Sequence, residues 1–422
     1  MPADEQPPAG RINLAEPGSR PARSRMGRWL RGGLVMLLIG SAAAGGFLLR
    51  RPIADGVGKA AGAVWDTWSE WSSALRRTAA DIPEQPATTT TTVPEPQPAP
   101  SRSVLLVVGD GVGSAAFALL VQPPLGDAEL IMIPQTLLVQ VPGFGEFSMA
   151  EALAFGGPRL AGLALSNEMG IRIDDLAPLP AGEMPAIGDG IVVDVPVELF
   201  VEEADGSRRF IAAGQQRLSA DLVGLLLVEQ GTGGQFDWLR RQEAVWSGVL
   251  AAVAGDPAIG ERLTAGAGDP SSGAALLAEI AAAPSIGAPP VDRVALSASR
   301  DAMVLATDRI DRYLSEHLAH LALGEGRRPR VEILNGNGRA GSGVGVAETL
   351  VGAGFYVFRS GNADRFDYAT SQVIAQGEDA VAAAVAAGEV LGVPDVVLEA
   401  RAPSGVVDVS IIVGADLASR ED

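Results

Sequence analysis

The 422-residue chain contains no cysteine. Disulfide frameworks, thiolate metal sites and cysteine nucleophiles are thereby excluded. Histidine is almost as scarce. His317 and His320 are the only two, which argues against a histidine-rich metal centre or a Ser-His triad in the middle of the chain. They share one helical face without an acidic third ligand at suitable spacing, so a solvated helix surface is the simpler reading. Basic charge is short as well: 32 Lys and Arg stand against 51 Asp and Glu, a formal charge of −19. A surface of that sign does not displace counterions from phosphates, which excludes non-specific nucleic-acid binding. Apolar residues make up 47% and charged residues 20%. The chain is therefore neither wholly disordered nor highly polar, and its length allows two or three domains.

The charge is unevenly placed. Residues 1–51 carry eight arginines against Asp4, Glu5 and Glu16, a local balance of +5, so the remainder holds −24. Between Arg31 and Arg50 runs GGLVMLLIGSAAAGGFLL, residues 32–49, without a charge. At about 1.5 Å per residue this makes roughly 27 Å of helix, enough to span a hydrocarbon core with slight thinning. Six arginines precede it, which predicts a disordered cytoplasmic tail over 1–31, a single-pass anchor and an extracytoplasmic remainder. Arg50 and Arg51 weigh against this orientation without reversing it. A cleaved signal peptide is the competing reading, with Ser41–Gly46 as its cleavage region, although the run Leu34–Ile39 is short for its apolar core.

Residues 50–81 read as a juxtamembrane amphipathic helix with Trp65, Trp68 and Trp71 at three-residue spacing. That stripe fits an interfacial belt on the outer membrane surface, or a face packed on the next domain. The segment 82–103 follows, with six prolines and five consecutive threonines. It cannot bury a core and reads as an extended, semi-rigid linker.

From Val331 onward the periodicities give strand, helix, two strands, helix and two strands, a small α/β domain. Gly336, Gly338 and Gly341 form a G-x-G-x-x-G turn between the first strand and helix. The dinucleotide reading of that spacing fails, because the second strand offers Arg359 where an acid should hold the ribose, and the domain is too small for two mononucleotide halves. A turn that needs glycine remains, as does an anion held at the helix N-terminus, with Gly336 and Gly338 as its candidate residues. The motifs VEILNGNGRAGSG, GNADRFDYATSQVIAQ, AGEVLGV and DVSIIVGADL occur in order. Over residues 329–417 they resemble the LytR C-terminal domain of Gram-positive cell-envelope proteins. The resemblance implies a wall-facing protein and no particular reaction.

Residues 104–322 read as a mixed-sheet α/β domain. SVLLVVGDGVGSA gives a buried strand and a turn, ALLVQPP and AELIMIPQT two more strands, and MAEALAFGGPRLAGLALSNEMG a helix interrupted at Gly156–Gly157–Pro158. GDGIVVDVPVEL reads as a hairpin, residues 255–290 as loosely ordered helices and loops, and residues 291–318 as a strand pair followed by a helix. In this order the pieces resemble the LytR-CpsA-Psr domain. Members of that family move a glycopolymer from a polyprenyl pyrophosphate onto peptidoglycan. The resemblance implies a hydrophobic tunnel for the prenyl chain, arginines on the pyrophosphate and carboxylates around magnesium. Bidentate guanidinium contacts and a divalent cation stabilise a pyrophosphate leaving group as its charge develops.

Most of that equipment is missing. Asp110 remains in the first turn, but no arginine follows it at Gly111–Gly113, and no second aspartate lies within Ser114–Ala116. The Ile-Pro-Arg-Asp motif reads Ile133-Pro134-Gln135-Thr136, and LLLVEQ, residues 225–230, offers Glu229 rather than an arginine. Arg240, Arg241 and Gln242 persist, while the neighbouring acidic position reads Gln235. Each charged contact to a developing oxyanion is worth about 100- to 1000-fold in rate, so losing three or four should abolish turnover. The expectation is a domain without catalytic residues or a metal, needing no cofactor. Asp110, Gln135, Arg240 and Arg241 are its candidate ligand-binding residues. Asp110 also fits a simple turn residue, and the two arginines fit surface ion pairs. The runs LVGLLLV and VLAAVA fit a packed core or a tunnel wall.

The leading expectation is an anchored envelope protein that binds a polyprenyl carrier, a peptidoglycan or glycopolymer strand, or an active paralogue. One alternative is a magnesium-dependent transferase whose arginines come from Arg159, Arg172 or Arg217. Another is a structural wall tether.

Overall fold

The computed structural model describes residues 101–418, apart from 110–113, 181–183, 185–186, 189, 203–207, 232, 298–300, 394–395 and 399–404. The expected tail, anchor and amphipathic helix, and most of the linker, lie outside the described residues. Among the described residues no helix is long and apolar enough to cross a membrane.

The middle domain is built on β1 (Arg102–Val108), β2 (Ala116–Gln122) and β3 (Glu129–Ile133). These strands are apolar at consecutive positions, the pattern of a sheet covered on both faces. Val104, Leu106 and Val108 enter one core, while Leu105 and Val107 enter another on the opposite face. A hairpin of β4 (Leu138–Val141) and β5 (Gly145–Ser148) leads into α1 (Met149–Met169). Ser148 and Glu151 form a reciprocal capping box at the start of that helix. As its sequence implies, α1 breaks at Gly156 and Gly157, the latter at φ +69°. It ends on Gly170 in the left-handed conformation.

Beyond it lie β6 (Asp175–Leu179), β7 (Ile191–Val195), β8 (Leu199–Glu202), β9 (Arg208–Ile211) and β10 (Gly214–Leu218). Four helices follow: α2 (Ala220–Val228), α3 (Gln235–Gly255), α4 (Ala258–Leu263) and α5 (Pro270–Ala282). The domain closes with β11 (Ile286–Gly287), β12 (Val291–Ala295), β13 (Asp301–Leu305) and α6 (Ile310–Tyr313), which runs on through a π-helical turn (Leu314–Leu318) and a 3-10 turn (Ala319–Leu321) carrying His317 and His320.

The central sheet is mixed, in the order β11-β3-β2-β1-β6, with β6 and β11 parallel to their neighbours. Side chains of α2, α3 and α5 cover one face, including Leu226, Leu227, Val249, Leu250 and Val253 from the two runs singled out above. The other face is covered by α1, the β4–β5 hairpin and β13, with Trp238 from the first turn of α3.

Two expectations are corrected. Residues 188–199 are not a hairpin: β7 pairs with β10, and β8 with β9. The alternation along β7 marks a half-buried strand but carries no information about its partner. Residues 255–290 are regular rather than loose. Asp269 accepts from the Ser272 amide at 3.2 Å and Pro270 opens α5, a strong start signal.

The C-terminal domain has the expected elements: β14 (Arg330–Asn335), α7 (Val344–Gly352), β15 (Tyr356–Asn362), β16 (Gln372–Ala375), α8 (Val381–Leu391), β17 (Val396–Leu398) and β18 (Val409–Val413), closed by α9 (Ala415–Ala418). Its sheet runs β15-β14-β18-β16-β17. The domain packs on α1 through Asn167, which is fully buried. The Asn167 side chain accepts from the Val357 amide at 2.8 Å and donates to the Val357 carbonyl at 2.9 Å. Arg328 donates to the Asn167 carbonyl at 2.6 Å and lies 5.1 Å from the Tyr356 ring. Burial raises the Glu168 carboxyl beside them above its ordinary range, against the opposing pull of the Gln140 amide and Arg328.

Candidate functional site

Helix α2 ends on Glu229 in an extended conformation, with no basic residue in its last turn. The final carbonyls of a helix have no partner within it and, when buried, must find one elsewhere. Here they find the residues that the sequence singled out. Gln135 lies just past β3 and is buried, its Nε2 donating to the Val228 carbonyl at 3.1 Å. Its Oε1 accepts from the Ala115 amide at 2.9 Å, which fixes the start of β2. Gln242, fully buried on α3, donates to the Leu227 carbonyl at 2.6 Å. Arg241, one residue earlier and 1% exposed, donates through Nη2 to the Gln230 carbonyl.

Thr136 and Gln235 occupy positions where the family resemblance implies charge. They now bond to one another: Thr136 Oγ1 donates to Gln235 Oε1 at 2.7 Å. Gln235 Nε2 continues to Gln230 Oε1 at 3.2 Å. A neutral chain of one hydroxyl and two carboxamides therefore stands at the positions whose lost charges the sequence already showed.

Arg241 is the charged exception. Its Nε and Nη1 are buried without a hydrogen-bond partner, as are the indole nitrogens of Trp238 and Trp246. Among the described residues no carboxylate lies within ion-pair distance of it. Burial lowers the guanidinium pKa, and Asp237 opposes this from a distance. A buried cation with unpartnered donors costs stability until something completes it.

The candidate residues are only partly brought together. Gln135 and Arg241 converge on residues 228–230. Arg240 does not join them: its side chain is 67% exposed and lies 3.8 Å from Asp237, one helical turn away. Asp110 lies outside the described residues. Arg159, Arg172 and Arg217 are engaged elsewhere, with Glu348, Asp174 and the Gly190 carbonyl respectively. The carboxylate at this site, Asp237, accepts from the Gly234 amide at 3.2 Å. The described residues therefore do not fit a divalent cation, and among them no group of three or more His, Asp or Glu could hold a metal.

In the C-terminal loop, the amides of Gly336 and Gly338 are both spent, on the Val413 carbonyl at 3.0 Å and Asn335 Oδ1 at 2.9 Å. Neither has an amide left for an anion, which corrects that expectation at these two positions. Glycine is needed at 338 for its φ of +74°. At 336 an added Cβ would come within 2.7 Å of Ile412.

Residues 328–417 form a LytR C-terminal domain, matching the family described as LytR cell envelope-related transcriptional attenuator. No curated protein matches the chain. Similar solved structures include Bacillus subtilis TagV, at 16% identity over 52% of this chain and 97% of that one, with a TM-score of 0.43. Protein gbs0355 from Streptococcus agalactiae is 13% identical over 52% of this chain and 88% of its own, with a TM-score of 0.44. The LytR-CPS2A-psr family protein YwtF (TagT), solved with bound octaprenyl pyrophosphate lipid, is 15% identical over 53% and 91%, with a TM-score of 0.38.

Proposed function

We propose that this chain is an extracytoplasmic cell-envelope protein, anchored through residues 32–49, that binds a polyprenyl pyrophosphate carrier during wall glycopolymer assembly without turning it over. The observation that carries this reading is Arg241, a buried guanidinium with two unpartnered nitrogens beside the neutral Gln135, Gln230 and Gln235. One such group can grip a pyrophosphate oxygen. Leaving-group departure needs several cations acting together, each worth about 100- to 1000-fold, and the described residues here supply one. The C-terminal LytR domain supports placement at the envelope. The −24 borne by the chain beyond residue 51 argues against non-specific contact with nucleic-acid phosphates. A wall glycan or an active paralogue would be the further partner on which the held carrier is presented.

The test uses the full-length chain in detergent micelles with Trp29, Trp65, Trp68 and Trp71 replaced by phenylalanine, so that only Trp238 and Trp246 report. Titration with a polyprenyl pyrophosphate should give a saturable fluorescence change, independent of magnesium and lost in Arg241→Met. Absence of any saturable response would leave the structural-tether reading. Magnesium-dependent transfer of a glycopolymer to peptidoglycan would overturn the non-catalytic part.

A further inference from the structure

Strands β8 and β9 form an antiparallel ribbon in which Leu199 faces Ile211 and Phe200 faces Phe210. A ribbon laid on a core turns apolar residues inward and polar residues outward, alternately along each strand. The inward half of that rule holds: Leu199 and Ile211 are buried in the core beneath α2 and α3. The outward half fails. The Phe200 and Phe210 rings lie 4.6 Å apart, tilted by 33°, yet they are 39% and 51% exposed. A cross-strand aromatic pair stiffens a ribbon, but β-branched or polar pairs do so without placing two phenyl rings in water. Departures of this kind from the pattern of a fold mark a surface kept for another purpose.

The neighbours of the ribbon indicate which purpose. Gly231, at φ +56°, runs so close to β8 that an added Cβ would lie 2.2 Å from Leu199 Cδ1 and 2.8 Å from the Phe200 carbonyl oxygen. Two residues on, a Cβ built on Gly233 would lie 3.8 Å from Arg241 Nη1. Gly231 and Gly233 thus connect the aromatic ribbon to the buried guanidinium. Helix α3 then begins, with the half-exposed Phe236 in its first turn. Exposed phenylalanines therefore stand on both sides of the glycines that adjoin Arg241.

Two arguments select a bilayer as the occupant. The first is the tether. About 50 residues separate the proposed anchor from β1, a link that keeps the domain within roughly 180 Å of the membrane. Two half-exposed rings hold a free protein on a bilayer too weakly to matter, but the same contact made within a tethered chain is populated. The second is charge. Arg209, next to Phe210, pairs with Asp221 at 3.5 Å, and Arg240, near Phe236, pairs with Asp237 at 3.8 Å. Neither arginine is left uncompensated to recruit an acidic protein partner.

We propose that the β8–β9 ribbon is a membrane-docking surface, through which Phe200 and Phe210 enter the interfacial layer of a bilayer and bring the Arg241 site against it. The proposal rests on the anchored, carrier-binding reading above and adds the face through which a lipid reaches the domain.

The chain has no cysteine, so one introduced thiol carries a unique fluorophore. The experiment places an NBD label at Phe210→Cys and, as a control, at Val294→Cys, a partly exposed apolar position on β12. Each full-length chain is reconstituted into phosphatidylcholine nanodiscs that contain no carrier. Phosphatidylcholine with a doxyl group near its glycerol should quench the label at 210 about threefold more than the label at 294, as expected of rings at the interface. A doxyl group near the acyl-chain end should quench it less. Phe200→Asp in the labelled chain should abolish the difference, while the chain still co-elutes with the nanodisc through its anchor. Quenching at 210 no greater than at 294, or unchanged by Phe200→Asp, would overturn the proposal. So would a label at 210 shielded from aqueous iodide yet untouched by either doxyl lipid, which would put a protein on the ribbon instead. Co-elution reads the anchor by itself, and its failure would remove the proposal together with the anchor. Because the nanodiscs hold no carrier, loss of the Trp238 and Trp246 response to polyprenyl pyrophosphate with the lipid contact intact would count against the carrier reading alone.

Discussion

The two domains treat their polar residues in opposite ways. In the middle domain, polar side chains at positions that the sequence resemblance singles out face inward. Gln135, Gln242 and Arg241 hold the carbonyls at the end of α2, and Thr136 bonds Gln235. In the C-terminal domain, the loop whose glycines suggested an anion site spends two amides internally yet leaves Ser342 Oγ without a partner beside a cleft. A polar residue that reads in sequence as a ligand contact can thus serve in the structure to complete a helix end. A segment that looks like mere turn chemistry can keep a group in reserve.

This contrast can be broken at its structural end first. Asn167→Ala should have the largest effect, because it leaves both the amide and the carbonyl of Val357 unpaired at the domain junction. The loss should be about 3 kcal/mol, read as a fall in chemical-denaturation midpoint. Gln135→Leu should cost about 2 kcal/mol by orphaning Ala115 N and Val228 O, measured in the same way. If it proved neutral, the glutamine would be there for a ligand rather than for α2.

Glu168→Gln sharpens the comparison through pH. Burial raises the carboxyl in the folded state. Its protonated form is therefore favoured by folding, and the ionised form lowers stability as pH rises from the unfolded value through the raised folded one. The wild type should lose stability relative to the variant as pH rises through and above the ordinary carboxylate range, seen as diverging melting temperatures; convergence instead would mean that Arg328 outweighs burial. The smallest effect belongs to Arg159→Ala. Its partner is half-buried, but the arginine side chain is 78% exposed, so the loss should be within about 1 kcal/mol and fade with salt.

Much of this architecture is legible in the sequence, where local pattern decides it. The short apolar runs at 102–108 and 116–122, bounded by glycine or proline turns, fit strands covered on both faces, and the Gly156–Gly157–Pro158 break in α1 follows from residue type. Pairing across distance is not legible. Val192 alternates with its neighbours whether its partner is in β8 or β10, and the pairing it makes is with β10. At the site, Gln135 and Arg241 stand out in the sequence only through a resemblance to a motif. Their bonds to residues 228–230 cross 93 and 11 positions and depend on where α2 stops. Ser342 gave no signal at all, because an unpartnered hydroxyl is visible only once its surroundings are in place.

The side chain of Asn167 has one more consequence. Strand β15 is an outer strand of the C-terminal sheet, and outer strands expose a row of amides and carbonyls on which a further strand can add. At Val357 both of those groups are taken by a carboxamide that imitates a neighbouring peptide bond. The opposite edge, β17, is only three residues long. The middle domain therefore acts as a cover that keeps its companion from templating strand exchange between molecules, and a chain cut between the two would uncover a sticky rim.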